Sequence, residues 1–150
     1  MEYVDLDIPS MLVSGFSSAT EQMVGFPLIC CDEKIDVKEA KHVQIQSRGG
    51  FRSVMRFHME HSFMKAVLQG MLCKDEQDPY IRDLYVGEYI NVLSGHVLTL
   101  INNAVGETSR LTVPTIGTEK MLEGIQYEHN FEVSFTSKYG KMQLEMSYEI

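Results

Sequence analysis

Residues 79–104 read PYIRDLYVGEYINVLSGHVLTLINNA, and the reading of this stretch decides the fold. Val86, Ile90, Leu93, Val97, Leu100, Ile101 and Ala104 recur at the three-and-four spacing of one buried helical face, which predicts a helix from Tyr80 to Ala104, the longest in the chain. At about 100° per residue, Glu88 and Asn91 fall opposite that stripe, with Leu84, Gly95 and Asn102 as neighbours. Polar residues on the outer face of an amphipathic helix are ordinarily no more than solvated. Three features set this face apart. Asn91 is a weak helix former in the middle of the pattern. Gly95 costs a helix about 1 kcal/mol relative to Ala and leaves bare backbone that another surface can approach. Leu84 is an apolar residue on the wet side. Together they read as a docking patch that holds a carboxylate and a carboxamide at adjacent positions.

Working outward, the flanking segments alternate between helical and strand periods. Before the long helix, Ile8 to Gly25 fits a helix stopped by Gly25 and Pro27. Phe26 to Cys31 suits a short strand. Lys41 to Arg48 and Phe51 to Met59 read as two strands joined at Gly49-Gly50. Glu60 to Cys73 suits a shorter helix, and KDEQDP, residues 74–79, is a polar turn into the long one.

After the long helix, Ser109 to Ile116 alternates until Pro114, which either places the strand at a sheet edge or ends it, because proline cannot donate to a ladder. Glu119 to Gly124 reads as one helical turn. Tyr127 to Thr136 and Met142 to Tyr148 alternate clearly, predicting an antiparallel hairpin with one covered face and one open to water. Met142 to Tyr148 is also a strand that can pair with a second copy. The sum is an α+β two-layer sandwich: an antiparallel sheet of about six strands with two long helices on one face.

Composition bounds the function. At 150 residues and 44% apolar content the chain is read as a single domain, 1–150. Thirteen Lys and Arg stand against 21 Asp and Glu, a net charge of -8, which argues against a nucleic-acid-binding face while leaving room for a partner that presents a lysine. No run of eighteen apolar residues suggests a membrane span, and MEYVDLDIPS is acidic where a secretory signal is basic, so a cytoplasmic protein is expected. Cys30, Cys31 and Cys73 have no framework spacing and read as buried small hydrophobes. His58, Glu60 and His61 lack the spacing of a zinc helix and are read as residues that close a strand and open a helix, with no metal site. His96, one turn beyond Asn91, is read as packing or meeting solvent. Gly-rich phosphate loops, nucleophile elbows and paired-cysteine zinc spacings are all missing.

Glu88-x-x-Asn91, followed by twenty-two residues and then Pro114, resembles the signature of the CheC, CheX and FliY family of chemotaxis phosphatases. One copy of the motif in a chain of this size is similar to CheX rather than to CheC, which carries two. Leu84 stands where the family pattern has Asp or Ser, and Gly95-His96 where it often has Gly-Asn. The resemblance implies a phosphatase acting on the aspartyl phosphate of a CheY-like response-regulator receiver. Asn91 would position the attacking water and Glu88 would pair with a receiver lysine, while Leu84, Gly95 and Pro114 would meet the partner. It implies no cofactor of the chain's own, Mg²⁺ on the receiver, and a homodimer. A non-catalytic adaptor or dimerisation module that docks a receiver or another signalling protein with the same face stays open.

Overall fold

Short-range chemistry at the chain's punctuation marks sets where each element starts and stops. In a computed structural model, which describes residues 6–117 and 125–150, the first helix α1 spans Ile8–Val24. Asp7 caps it by accepting a hydrogen bond from the Ser10 amide at 3.2 Å, and Gly25 closes it in the left-handed conformation, φ 84°. The long helix α3, Pro79–Val105, is bracketed in the same way: Asp78 accepts from the Tyr80 amide at 2.9 Å, Pro79 opens the first turn, and Gly106 ends it at φ 74°. Between them lies the shorter α2, His61–Leu72.

Among the described residues seven strands form one antiparallel sheet: β1 Ile29–Cys31, β2 Lys41–Gly49, β3 Arg52–Met59, β4 Ser109–Leu111, β5 Thr115–Gly117, β6 His129–Ser137 and β7 Gly140–Glu149. Their order is β1-β6-β7-β3-β2-β4, and β5 also pairs with β2. The count exceeds the expected six because the stretch containing Pro114 divides. Leu111 and Ser109 pair with β2 at one end and Thr115 to Gly117 at the other, while Pro114 stands outside the ladder, at a sheet edge as its missing N–H requires. The strand expected over Phe26 to Cys31 shortens to its last three residues, although Phe26 and Leu28 are buried. Glu119 to Gly124 lies outside the described residues.

Register puts matching side chains in rows. Met55 faces Met146, Phe57 faces Leu144 and Met59 faces Met142, and across β7 the same three residues meet Phe131, Val133 and Phe135. These rows pack beneath the helices in one cluster with Leu12, Phe16, Ile90 and Leu93. Fully burying a side chain of this size contributes about 1.5–3 kcal/mol, so the two layers hold each other.

Four expectations need correction. Cys30 and Cys73 are exposed and Cys31 is half-buried, so the three cysteines are not buried small hydrophobes. β7 is central, hydrogen-bonded to β3 on one side and β6 on the other, so Met142 to Tyr148 has no free edge for a second copy. The sheet's far face is not simply wet: His42, His58, Gln143 and Ser147 are buried, because the connection after β1 crosses it, with the Ile35 amide reaching Gln143, and the Tyr127 amide donates to the Ser147 hydroxyl. The stripe on α3 is also displaced. Leu100 is 39% exposed and Ala104 is exposed, while Tyr89, Leu98 and Val105 are buried. α3 packs against α1 as well as the sheet, so its buried face has two contact lines. The helices are so close that a methyl group placed on Gly15 would stand 2.8 Å from Val97 Cγ2. By length and composition α3 alone among the described helices could cross a membrane, but Val86, Ile90, Leu93 and Val97 are in the core.

Candidate functional site

The outer side of α3 faces the connection between β4 and β5, and the groove between them encloses about 440 Å³. Leu84, Glu88 and Asn91 form the helical wall; Leu111, Val113 and Pro114 form the other. The second wall is pinned at its base. The Thr112 amide donates to the Gln46 carbonyl at 2.8 Å, and its hydroxyl accepts from the Gln46 amide at 3.0 Å. Those two bonds tie Thr112 to β2 and leave Val113 standing out, 84% exposed. Pro114 follows it, and Pro114 Cβ and Ile116 Cδ1 come within 4.0 and 3.8 Å of a methyl group placed on Gly87. Sequence spacing therefore becomes adjacency: Pro114, separated from the motif by twenty-two intervening residues, lines the same groove as the motif.

Glu88 is exposed and Asn91 half-buried. Among the described residues neither side chain makes a hydrogen bond or ion pair, so both keep their full capacity for a ligand. Asp83, which also lines the groove, is different: Lys41 Nζ holds its carboxylate at 2.6 Å. Among the described residues of the groove, Glu88 is thus the carboxylate left free, and none of them is a Lys, Arg or His that could meet it.

The other sequence candidates fall as follows. Leu84 lies on the groove wall and is 58% exposed. Gly95 lies one turn beyond Asn91, where the surface that approaches its bare backbone is the chain's own: Leu111 Cδ1 would stand 3.8 Å from an added methyl group. His96 turns toward α1, its Cδ2 lying 3.5 Å from the position of a methyl group on Gly15, and is not part of the groove. His58 and His61 do not share a site. His58 points to the far face of the sheet, 2.7 Å from His42 Nδ1 and 2.9 Å from Glu145, whereas His61 opens α2 and is exposed. Glu60, between them, accepts a hydrogen bond from the Lys141 amide at 2.7 Å.

Sequence reasoning missed the second wall beyond Pro114. Thr112 and Val113 carry no motif, and the signal that could have found them is the proline itself: a break in alternation at a sheet edge sends the neighbouring residues out of the ladder.

This arrangement, three helices on one face of an antiparallel sheet with an unengaged Glu and Asn on the outer side of the longest helix, has the fold of the CheX, CheC-like and FliY chemotaxis proteins. Among solved structures, CheX of Vibrio vulnificus aligns over 99% of this chain and 100% of its own with a TM-score of 0.77 and 15% identity. CheX from Desulfovibrio desulfuricans aligns over 96% and 100%, with a TM-score of 0.76 and 18% identity. A third, the CheX-CheY-BeF3-Mg²⁺ complex from Borrelia burgdorferi, aligns over 96% and 99% with a TM-score of 0.74 and 15% identity. At these identities the likeness is one of fold. No protein-family model matches the chain, and no curated protein matches it by sequence.

Proposed function

We propose that this chain is a CheX-type phosphatase that hydrolyses the aspartyl phosphate of a CheY-like receiver domain. The observation that carries the reading is the groove: Glu88 and Asn91 stand side by side on a rigid helix, both unengaged, opposite the Pro114 wall. A CheX of the same fold forms a complex with CheY, BeF3 and Mg²⁺, which supports a receiver as the partner.

An acyl phosphate is already activated, so the chain need not supply a nucleophile. Its tasks are to place water in line with the phosphorus and to exclude bulk solvent. The Asn91 carboxamide accepts one hydrogen bond and donates two, so it can orient a water without competing as a base. The water oxygen forms the new bond to phosphorus and the bond from phosphorus to the aspartyl oxygen breaks. The receiver carboxylate leaves with the electron pair, and the water's proton goes to the phosphate product or to solvent. Glu88 pairs with a receiver lysine through a charge-assisted hydrogen bond that fixes the approach angle. Mg²⁺ belongs to the receiver. The family likeness also carries a homodimer; with β7 enclosed, β1 supplies an open edge, with Ile29 60% exposed.

The test is phosphate release from a phosphorylated CheY-type receiver with and without the protein. Asn91→Ala is expected to keep binding and lose release by about 100-fold or more, the scale of removing one preorganised polar group from a reaction site. Glu88→Ala is expected to weaken both. Unchanged release by the Asn91 variant refutes its role, and binding without release by the wild type leaves the adaptor reading.

A further inference from the structure

Three of the four most exposed large apolar side chains among the described residues flank the groove: Val113 at 84%, Tyr80 at 76% and Leu84 at 58%. Single exposed apolar residues are ordinary on a protein surface, but a cluster around an unengaged polar pair is the pattern of an interaction site. Tyr80 and Leu84 are one turn apart on one face of α3, and Leu84 is one turn before Glu88. Val113 sits on the facing wall, held out by the two hydrogen bonds that fix Thr112 to β2. Neither position is a loose tip.

Charge completes the complement. Asp83 is satisfied by Lys41, so among its described residues the groove offers one free carboxylate, Glu88, within an apolar rim. A surface that fits must bring a cation to Glu88 and cover Leu84 and Val113 with apolar atoms. A polar side chain pressed against these two residues would lose its water without gaining a partner. An apolar one gains by removing both itself and the rim from solvent.

The geometry points to Leu84 and Val113 as the residues that select the partner: the groove takes a receiver that presents an apolar side chain beside the lysine that meets Glu88, and discriminates against receivers with a polar side chain there. This rests on the reading of the groove as a receiver-docking site. Leu84 and Val113 act on docking and leave the placement of water to Asn91. Discrimination of this kind uses an unfavourable contact with the wrong partner as much as a favourable one with the right partner.

The experiment titrates the full chain with CheY-type receiver domains of the same organism, each loaded with beryllofluoride and Mg²⁺, and measures phosphate release from the phosphorylated forms in parallel. Leu84→Asp is expected to weaken the best-bound receiver about tenfold, the scale of losing one well-covered leucine, while Leu84→Met stays within about twofold. The loss is expected in KM with kcat unchanged. In the pair Leu84→Ala with Val113→Ala, receivers that the wild type separates by more than about tenfold are expected to converge to within about threefold. Unchanged affinity, or an equal loss for every receiver, overturns the selection role. So does a fall in kcat at constant KM. A change in oligomeric state of Leu84→Asp on sedimentation would put a second copy on this face and also overturn it. Binding without release by the wild type sinks only the phosphatase reading, whereas no binding to any receiver sinks both.

Discussion

The two sides of α3 obey opposite rules. On the inner side Tyr89, Ile90, Leu93 and Val97 are at most 1% exposed, and the one phenol among them has its partner: the Tyr89 and Thr20 hydroxyls share a hydrogen bond at 2.8 Å. On the outer side Leu84 is 58% exposed, and Glu88 and Asn91 have no side-chain partner among the described residues. Apart from the buried Ser94 hydroxyl, which has no hydrogen-bond partner among the described residues, the inner side is satisfied within the chain, whereas the outer side leaves apolar and polar groups unpartnered. Stability and function should therefore separate along a single helix, and substitutions on each side can test whether they do.

The harshest test is Leu93→Ala on the inner side. Truncating a fully buried leucine removes its transfer free energy and leaves a cavity, so a loss of about 2–5 kcal/mol in unfolding free energy is expected. Denaturant unfolding measures it. Among molecules still folded, phosphate release per molecule should match the wild type, and a loss of activity that outruns the loss of folded protein would show that the two sides are coupled.

Tyr89→Phe is milder and adds a pH signature. The Thr20 hydroxyl would stay in a dry site without its partner, at a cost of about 1–2 kcal/mol. Burial pushes the Tyr89 phenol above its usual range, more than the Thr20 hydrogen bond draws it down. With the folded pKa above the unfolded one, stability is intact below about pH 10 and falls as pH rises past it, because the unfolded chain alone releases the proton. Wild-type thermal midpoints are expected to drop more steeply above that pH than those of Tyr89→Phe. Parallel curves would mean that the phenol is not held neutral by the fold.

The inner side was the more legible of the two, and the reason is physical. Hydrophobic periodicity reports which face a helix buries, and it placed Val86, Ile90, Leu93 and Val97 correctly. It erred at Leu100 and Ala104 because a helix packed on both a sheet and another helix has two contact lines, and the close approach at Gly15 leaves no mark on the sequence of α3. The alternating strands were legible for the same reason, but their order was not. Alternation states which residues face inward without naming the neighbour, so β7 was free to be read as an edge. On the outer side, Glu88 and Asn91 stood out by residue type and by resemblance. The wall opposite them is a matter of tertiary placement, and Pro114 alone signalled it.

Gly95→Ala probes the boundary between the sides. A methyl group there would rest 3.8 Å from Leu111 Cδ1, an ordinary contact, while the helix gains about 0.5–1 kcal/mol from replacing glycine. A higher thermal midpoint with unchanged receiver binding is expected. A stabilised protein that binds less well would mean that the bare backbone at Gly95 is needed by the partner, as the sequence first suggested.

The smallest effect on stability is also the sharpest. Asn91 is half-buried on the groove wall and has no hydrogen-bonding partner among the described residues, so nothing in the fold depends on its carboxamide. Alanine is the better helix former by about 0.5 kcal/mol. Asn91→Ala should therefore unfold at slightly higher denaturant while losing phosphate release, a gain in stability coupled to a loss of function. Only a residue kept for what it does outside its own chain behaves this way. If Asn91→Ala instead lowered stability, the carboxamide would have a structural role, and the outer side of α3 would no longer differ in kind from the inner one.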